Sequence, residues 1–130
     1  DSMNELENLM ILDLDSQALS GTIPETLFSL TQLRTLDLNE NILTGTLSSS
    51  IGDLSSLKFL QVDSNMLTGS IPDVFSTLNL LGQATFEKNM FTGEMPQSIC
   101  SLKNETNLRT LHADCSLCDP VVPCCSSCES

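Results

Sequence analysis

The chain repeats one pattern of apolar and polar positions every 24 residues. The positions Leu33, Leu36, Leu38, Asn41, Leu43 and Gly45 return as Leu57, Leu60, Val62, Asn65, Leu67 and Gly69, and again as Leu81, Ala84, Phe86, Asn89, Phe91 and Gly93. Each unit can be written L-x-x-L-x-L-x-x-N-x-L-x-G-x-I-P-x-x-L-x-x-L. A fixed period of this size is typical of a solenoid, in which each coil packs on its neighbours.

The pattern also predicts the elements of each coil. The L-x-x-L-x-L segment ends in apolar and polar alternation, which predicts a short strand. Strands of successive coils would lie side by side as a parallel sheet, about 4.8 Å apart. The inward Asn amide is expected to satisfy backbone groups of its own and the adjacent coil. The later apolar pair predicts a short helical turn, so the fold is an α/β solenoid with a concave parallel sheet and an irregular, short helical convex side.

The two ends depart from the repeat. Met3 and Leu6 match the late apolar places of a unit, and the given sequence shows neither an initiator Met nor a signal peptide. We therefore expect that the sequence starts within a unit and that Asp1 follows a removed segment or further repeats. We expect further repeats or subunit packing at this open N-terminal edge. The fourth unit is three residues longer, and the extra residues fall within 103–107, a polar stretch that suggests a loop. We predict a solenoid over 1–107 and a degraded last repeat with a Cys-rich cap over 108–130.

The repeat resembles the leucine-rich repeat family. The segment Leu67-Thr68-Gly69-Ser70-Ile71-Pro72 is similar to its plant-type extracellular subclass, and the tail with Ala113-Asp114-Cys115 and Cys124-Cys125-Ser126-Ser127-Cys128 resembles that of secreted diatom-type repeat proteins. The resemblance implies a non-catalytic recognition surface. It suggests the repeat region of a receptor or adhesion protein, a secreted inhibitor similar to polygalacturonase-inhibiting proteins, or a structural subunit of an extracellular or lumenal assembly.

All six cysteines lie near the C-terminus, at Cys100, Cys115, Cys118, Cys124, Cys125 and Cys128. An even, clustered set predicts disulfides formed in an oxidising compartment, with the pairing left open. The alternative is a zinc site on the two C-x-x-C pairs. Asn104 begins an N-glycosylation sequon in the predicted loop, which favours secretion over zinc. We therefore predict a secreted, extracellular or lumenal protein.

Composition narrows the choice of partners. The net charge is −12, which disfavours nucleic acids, anionic membranes and polyanionic polysaccharides and permits a basic protein partner. No segment approaches the length of an apolar membrane span. The chain has neither Trp nor Tyr, so the usual aromatic anchors of recognition are scarce.

The phase of the repeat predicts which side chains face outward on the concave sheet. Acids crowd two neighbouring columns, an apolar column lies beside them, and Arg34, Lys58 and Arg109 flank it. The predicted partner-binding residues are Asp13, Asp15, Thr35, Asp37, Phe59, Gln61, Asp63, Thr85, Glu87, His112 and Asp114. The surface would recognise a basic or cationic partner with Phe59 as apolar anchor. The alternative is that these charges form an ordinary solvated face.

Three smaller hypotheses remain. Asp13, Asp15 and Asp37 suggest a calcium site, although flat strands lack the looped geometry of dedicated sites. Hydroxyl ladders after the Asn, which include Thr44 and Thr68, are expected to satisfy turns. Ala18, Ile42, Met66 and Met90 form a side column that could be a contact patch, but we expect it to pack over the coil edge.

The sequence offers weak candidates for catalysis. His112 is the sole histidine and has Asp114 nearby in sequence, but no repeat-borne serine completes a nucleophilic set. The paired acids lie on a predicted open face, without a device to raise one pKa as a glycosidase requires. We predict that the chain is not an enzyme and that it carries no cofactor and no resident metal.

Overall fold

A computed structural model of the chain describes residues 7–105, 107–118, 124–125 and 127–129. Its strands are short and recur along the chain. They are β1 Ile11–Asp13, β2 Ser20–Thr22, β3 Thr35–Asp37, β4 Ile42–Thr44, β5 Phe59–Gln61, β6 Thr68–Ser70, β7 Gln83–Thr85, β8 Met90–Thr92, β9 Thr110–Asp114 and β10 Ser127–Glu129. The helical elements are the α-helix α1 Gln97–Glu105 and 3-10 turns at Glu25–Ser29, Ser49–Asp53, Phe75–Thr77 and Cys115–Leu117.

The main sheet is parallel and follows the repeat. Its strand order is β1-β3-β5-β7-β9-β10. Leu36 is in register with Leu12 on one side and with Leu60 on the other, so residues 24 apart are neighbours. The offset becomes 27 between Ala84 and Leu111, where the longer fourth unit intervenes. The predicted solenoid with a concave parallel sheet is confirmed.

The asparagine of each coil bonds across two coils. The Asn65 amide nitrogen donates to Leu38 O at 2.9 Å and to Val62 O at 3.2 Å, while its oxygen accepts from Leu43 N at 3.0 Å. Asn41 and Asn89 make the corresponding bonds in their own coils. The amide therefore forms hydrogen bonds with backbone groups that would otherwise be buried without a hydrogen-bond partner. The role predicted for the asparagines is confirmed.

The turn before each asparagine contains a left-handed backbone conformation that the sequence does not predict. Glu40, Ser64 and Lys88, each directly before the asparagine, have φ of 55°, 59° and 59°. This left-handed region costs a non-glycine residue about 1–2 kcal/mol. The asparagine bonds hold the chain there, so the turn depends on tertiary contacts and not on local preference.

The core is a continuous column of apolar side chains. Leu33, Leu57 and Leu81 are fully buried at the same place in successive coils. In the fourth coil Phe86 meets Phe75 and Phe91 edge-on, with both pairs of ring centroids 6.2 Å apart. The phenylalanines fill the space that leucines occupy earlier, so the packing adapts without a change in the backbone repeat.

The first coil is less well covered than the others. Leu9, Leu12, Leu14, Leu19 and Ile23 are only partly buried. An apolar hollow of about 360 Å³ opens at this end, with Leu14, Leu19 and Ile23 among its walls. Covering by further repeats or another subunit at this edge stays a prediction, and Met3 and Leu6 lie outside the described residues.

The C-terminal region corrects one prediction and confirms another. The extra residues of the fourth unit extend α1, which runs to residue 105, so the backbone at Asn104 belongs to a helix and not to a loop. Cys100 is bonded to Cys124 and Cys118 to Cys125, with Cα atoms 5.3 and 6.0 Å apart.

The zinc alternative fails because Cys118 and Cys125 are joined to each other. Cys115 is also disulfide-bonded, and the side chain of Cys128 lies outside the described residues, as does that of Asn104. The boundary between 107 and 108 stays a prediction.

Candidate functional site

The strand register brings the predicted binding residues together in columns on the concave face. In one column Ile11, Thr35, Phe59, Gln83 and Thr110 follow each other from β1 to β9. In the next column Asp13, Asp37, Gln61, Thr85 and His112 do the same. The register therefore aligns these positions in the predicted columns, although the side chain of Thr85 is buried, and their role in binding stays a prediction.

The acids in the C-terminal half of the face are engaged within the protein. Asp63 accepts hydrogen bonds from Thr85 Oγ1 at 2.6 Å and from Ser64 Oγ at 3.2 Å. Asp114 accepts from the backbone N–H of Lys88 at 2.9 Å. These carboxylates link neighbouring coils through hydrogen bonds. The acids of the concave face therefore differ in whether such bonds engage them.

His112 also has a structural neighbour. Its Nδ1 lies 3.9 Å from Glu87 Oε2, and Glu87 is buried. Asp114, two residues after His112, instead accepts a hydrogen bond from the backbone N–H of Lys88. The carboxylate near His112 is therefore that of Glu87, which lies in the adjacent coil just after β7, and sequence spacing alone did not indicate it.

The acids in the N-terminal half lie close to one another. Asp13, Asp15 and Asp37 each place a carboxylate oxygen within 4.8 Å of the others, and we call them the acidic corner. Asp13 and Asp37 are direct partners on β1 and β3. The hydrogen bonds from the backbone that they accept are local, from Asp15 N at 3.3 Å and Asn39 N at 3.1 Å. The acidic corner thus concentrates negative charge beside a parallel edge strand.

Proton affinities in the acidic corner reflect this crowding. A hydrogen bond with Asp13, together with its charge, raises the pKa of Asp15, and the same bond lowers the pKa of Asp13. Burial raises the pKa of Asp37, and the charges of Asp13, Asp63 and Glu40 add to the effect. A cation placed between these groups would relieve the repulsion.

Exposed apolar side chains lie directly beside the acidic corner. Ile11 is 62% exposed and Phe59 is 45% exposed, one on each side of Thr35. Arg34 and Lys58 immediately precede Thr35 and Phe59 and are exposed. The surface therefore changes from basic through apolar to acidic along the strand direction.

A second surface follows the asparagine turns. β2 pairs with β4 and β6 with β8, and a bridge between Thr46 and Thr68 links the two small sheets. We call the outward side of these strands, together with Met66 just before β6, the lateral strip. The sequence predicted turns here, and the period-two pattern over only three residues was too short to identify strands.

The side column on the lateral strip is exposed, contrary to expectation. Ile42, Met66 and Met90 are 49%, 46% and 52% exposed. They do not fold over the coil edge because the inward positions next to them, Leu43 and Phe91, already fill the core. The lateral strip is therefore the part of the surface that sequence reasoning described least well.

Comparisons with known proteins agree with this architecture. A model of leucine-rich repeats matches residues 7–67. None of the curated proteins compared with the chain matches it significantly. Among the described residues, no helix is long and apolar enough to cross a membrane.

Many solved structures are similar to the chain, and three of them represent the match. The ectodomain of the plant membrane receptor kinase GASSHO1/SCHENGEN3 from Arabidopsis thaliana, in complex with CASPARIAN STRIP INTEGRITY FACTOR 2, is 40% identical over 82% of this chain, with a TM-score of 0.73. The plant peptide hormone receptor RGFR1, in complex with RGF2, is 37% identical over 87%, with a TM-score of 0.77. The BIR3–SERK2 complex from Arabidopsis thaliana is 33% identical over 83%, with a TM-score of 0.73. The chain spans 12%, 18% and 57% of these proteins.

Proposed function

The chain belongs to the leucine-rich repeat family, in its plant-type extracellular subclass, and from this premise we propose that it is a non-catalytic module that binds a protein partner. The binding surface is the N-terminal half of the concave face, formed by the acidic corner and the apolar side chains beside it. The partner is an extended protein segment with a basic side chain next to an apolar one.

One observation carries the proposal. The carboxylates of Asp13, Asp15 and Asp37 converge within 4.8 Å, whereas Asp63 and Asp114 accept hydrogen bonds from the adjacent coil. Converging charges raise the free energy of the unbound state, and a partner's ammonium or guanidinium group removes that cost on binding.

The neighbouring apolar side chains define the second part of the surface. Ile11 and Phe59 provide exposed apolar area about 5–10 Å from each other across Thr35, given the spacing between strands. Such area contributes affinity without directional requirements, while the charge of the corner sets the orientation of the partner.

The disulfides of the chain and the structures similar to it both support an extracellular compartment. Disulfides such as Cys100–Cys124 persist in oxidising compartments, and two of the similar structures are described as plant receptors bound to a peptide hormone or named factor. We place the chain outside the cytosol, as a receptor or adhesion module. A hydrolase inhibitor and a structural subunit remain the alternatives.

Binding to defined peptides tests the proposal. A short synthetic peptide carrying Lys-Phe-Lys is compared with its Glu-Phe-Glu counterpart by isothermal titration calorimetry. We expect the basic peptide to bind and the acidic peptide not to bind. Asp37→Asn should weaken binding by about two- to fivefold, because one charge–charge contact near a surface contributes up to about 1 kcal/mol.

The control is Asp53→Asn, which removes the same charge from an exposed position in the convex turn Ser49–Asp53. It should change the affinity by less than about twofold, since charges beyond the Debye length are screened. Equal binding of the two peptides, or equal effects of the two variants, would refute the proposal. Competition by calcium that displaces the peptide would instead assign the acidic corner to a hard cation and also refute it.

A further inference from the structure

A polar hollow lies on the convex side, between the third and the fourth coil. One wall is the 3-10 turn Phe75–Thr77 with its neighbouring residues, and the other wall is α1. The first three coils have 3-10 turns of three to five residues at this place, whereas α1 has nine residues. The hollow therefore lies where two unlike elements meet. Its volume is about 370 Å³, and ligand sites in proteins start at about 300 Å³.

The lining of this hollow is hydrophilic but carries little charge. Among the described residues that line it, hydroxyl and amide side chains predominate, with one carboxylate and one apolar residue, and none is basic or aromatic. They include Asp73, Ser76, Asn79, Gln97, Ser101 and Leu102.

Hydrogen bonds fix part of the lining. The Ser98 backbone N–H donates to Asp73 Oδ1 at 3.0 Å, and Ser98 Oγ accepts from Phe75 N at 3.1 Å. Hydrogen bonds from the side chain and the backbone N–H of Ser98 hold the pKa of Asp73 below its ordinary value. The carboxylate is therefore an acceptor only, and it can accept further bonds because it has about four acceptor sites.

The other polar groups supply donors as well as acceptors. Gln97 Nε2 donates to Ser101 Oγ at 3.3 Å, which leaves the side-chain carbonyl of Gln97 as an acceptor. Ser76 and Asn79 are exposed at the opposite wall, and each can donate and accept. The hollow thus presents donors and acceptors together in one small space.

The ligand class follows from this chemistry. An anion is disfavoured, since it would meet the charge of Asp73 without a basic residue to offset it. One carboxylate is too few for a calcium ion, which takes about six to eight oxygen ligands, and an apolar ligand would leave the polar groups without partners. A sugar hydroxyl both donates and accepts. We therefore propose that the hollow binds a neutral saccharide through Asp73, Asn79 and Gln97.

The sequence places one source of saccharide on the wall of the hollow itself. The sequon that starts at Asn104 reaches into α1, where position 104 is seven residues after Gln97 and three after Ser101. Helix positions with these separations share a face. A glycan attached at this position therefore starts at the edge of the hollow, and a short tether gives a local concentration of about millimolar. A free saccharide has the same chemistry and is the second source.

An NMR titration of the oxidised, unglycosylated, isotopically labelled chain with N,N′-diacetylchitobiose, the disaccharide that begins an N-glycan, tests the site. We expect amide shift changes at residues 73–79 and 97–101 at millimolar sugar. Asn79→Ala should weaken binding about two- to tenfold, because the variant loses a hydrogen bond to the ligand.

The matched control is Asn107→Ala, which removes an exposed amide outside the hollow and should change the affinity by less than about twofold. Absence of shift changes, changes centred on other residues, or equal effects of the two variants would overturn the saccharide site. The hollow and the acidic corner share no residue, so a failure of peptide binding on the concave face leaves this proposal intact.

The chain secreted from eukaryotic cells distinguishes the two sources. Peptide mass spectrometry reports whether Asn104 carries a glycan, and Thr106→Ala removes the sequon without changing Asn104. We expect that the attached glycan fills the hollow, so that the glycosylated chain does not bind free chitobiose and Thr106→Ala binds it as the unglycosylated chain does. Equal binding by the two secreted chains would reject the attached glycan and assign the hollow to a free saccharide.

Discussion

The side chain of Asn65 donates to the carbonyl of Leu38 at 2.9 Å, although 27 residues separate them in sequence. The same amide reaches Val62 in its own coil. One buried residue thus connects two successive coils, and it does so by satisfying backbone groups that strand pairing leaves without partners. The arrangement explains why the repeat carries an amide and not an aliphatic residue at this place.

Asn65→Ala should destabilise the fold by about 2–4 kcal/mol, since it leaves several buried backbone groups without hydrogen bonds. Asn79→Ala, at an exposed turn position, should cost less than about 0.5 kcal/mol. Urea unfolding followed by circular dichroism measures both. A similar cost for the two variants would show that the Asn65 bonds do not stabilise the coil.

Two glycines with the same backbone conformation separate strain from crowding. Gly21 and Gly45 have φ of +81° and +80°, but an added Cβ at Gly45 would lie 2.9 Å from the Thr22 methyl, while nothing lies within 4 Å at Gly21. Gly21→Ala should cost about 1–2 kcal/mol from the left-handed backbone alone. Gly45→Ala should cost about 1 kcal/mol more from the contact. Equal thermal unfolding midpoints for the two variants would contradict the close approach of Gly45 to the Thr22 methyl.

Stability at the acidic corner should depend on pH. The pKa of Asp37 is raised above its ordinary value of 3.8, so the folded state binds the proton more tightly than the unfolded chain. By linkage, the stabilisation from this proton is complete below the ordinary value and is lost as pH rises through the raised value.

Asp37→Asn cannot ionise and still accepts the hydrogen bond from Asn39 N. The stability of the variant relative to wild type should therefore be higher at pH 7 than at pH 3. Urea unfolding at both pH values checks the sign. If the difference in stability between the variant and wild type is the same at both pH values, repulsion in the acidic corner is negligible.

Two of the disulfides should differ in their contribution to stability. Cys100–Cys124 closes 24 residues and Cys118–Cys125 closes 7. Chain entropy predicts a cost of about 3 kcal/mol on replacing the first pair by serine and about 2 kcal/mol for the second. Urea unfolding of the two double variants tests this order, and a larger loss from the shorter loop would reject it.

Much of the solenoid could be predicted because its signals repeat. Register, core and the role of asparagine follow from constrained positions such as Leu36, Leu60 and Asn65, each of which recurs in phase. The concave columns follow from the same phase, since strand side chains alternate between faces.

What could not be predicted depends on contacts between coils. Nothing in the sequence distinguishes Asp63, which bonds to Thr85, from Asp15, which occupies the same place in the repeat but lies in the acidic corner. The lateral strip was missed because its strands span three residues and form only when coils are already stacked. The helix at 103–105 was missed because polar residues favour a loop unless a preceding helix continues through them.

An NMR titration of the isotopically labelled chain with the Lys-Phe-Lys peptide tests the central claim most directly. We expect amide shift changes confined to β1, β3 and β5, strongest near Asp13, Asp37 and Phe59, and requiring a higher peptide concentration in Asp37→Asn. Changes centred on β7 and β9 or on the lateral strip, or none at peptide concentrations that calorimetry shows to saturate, would contradict it.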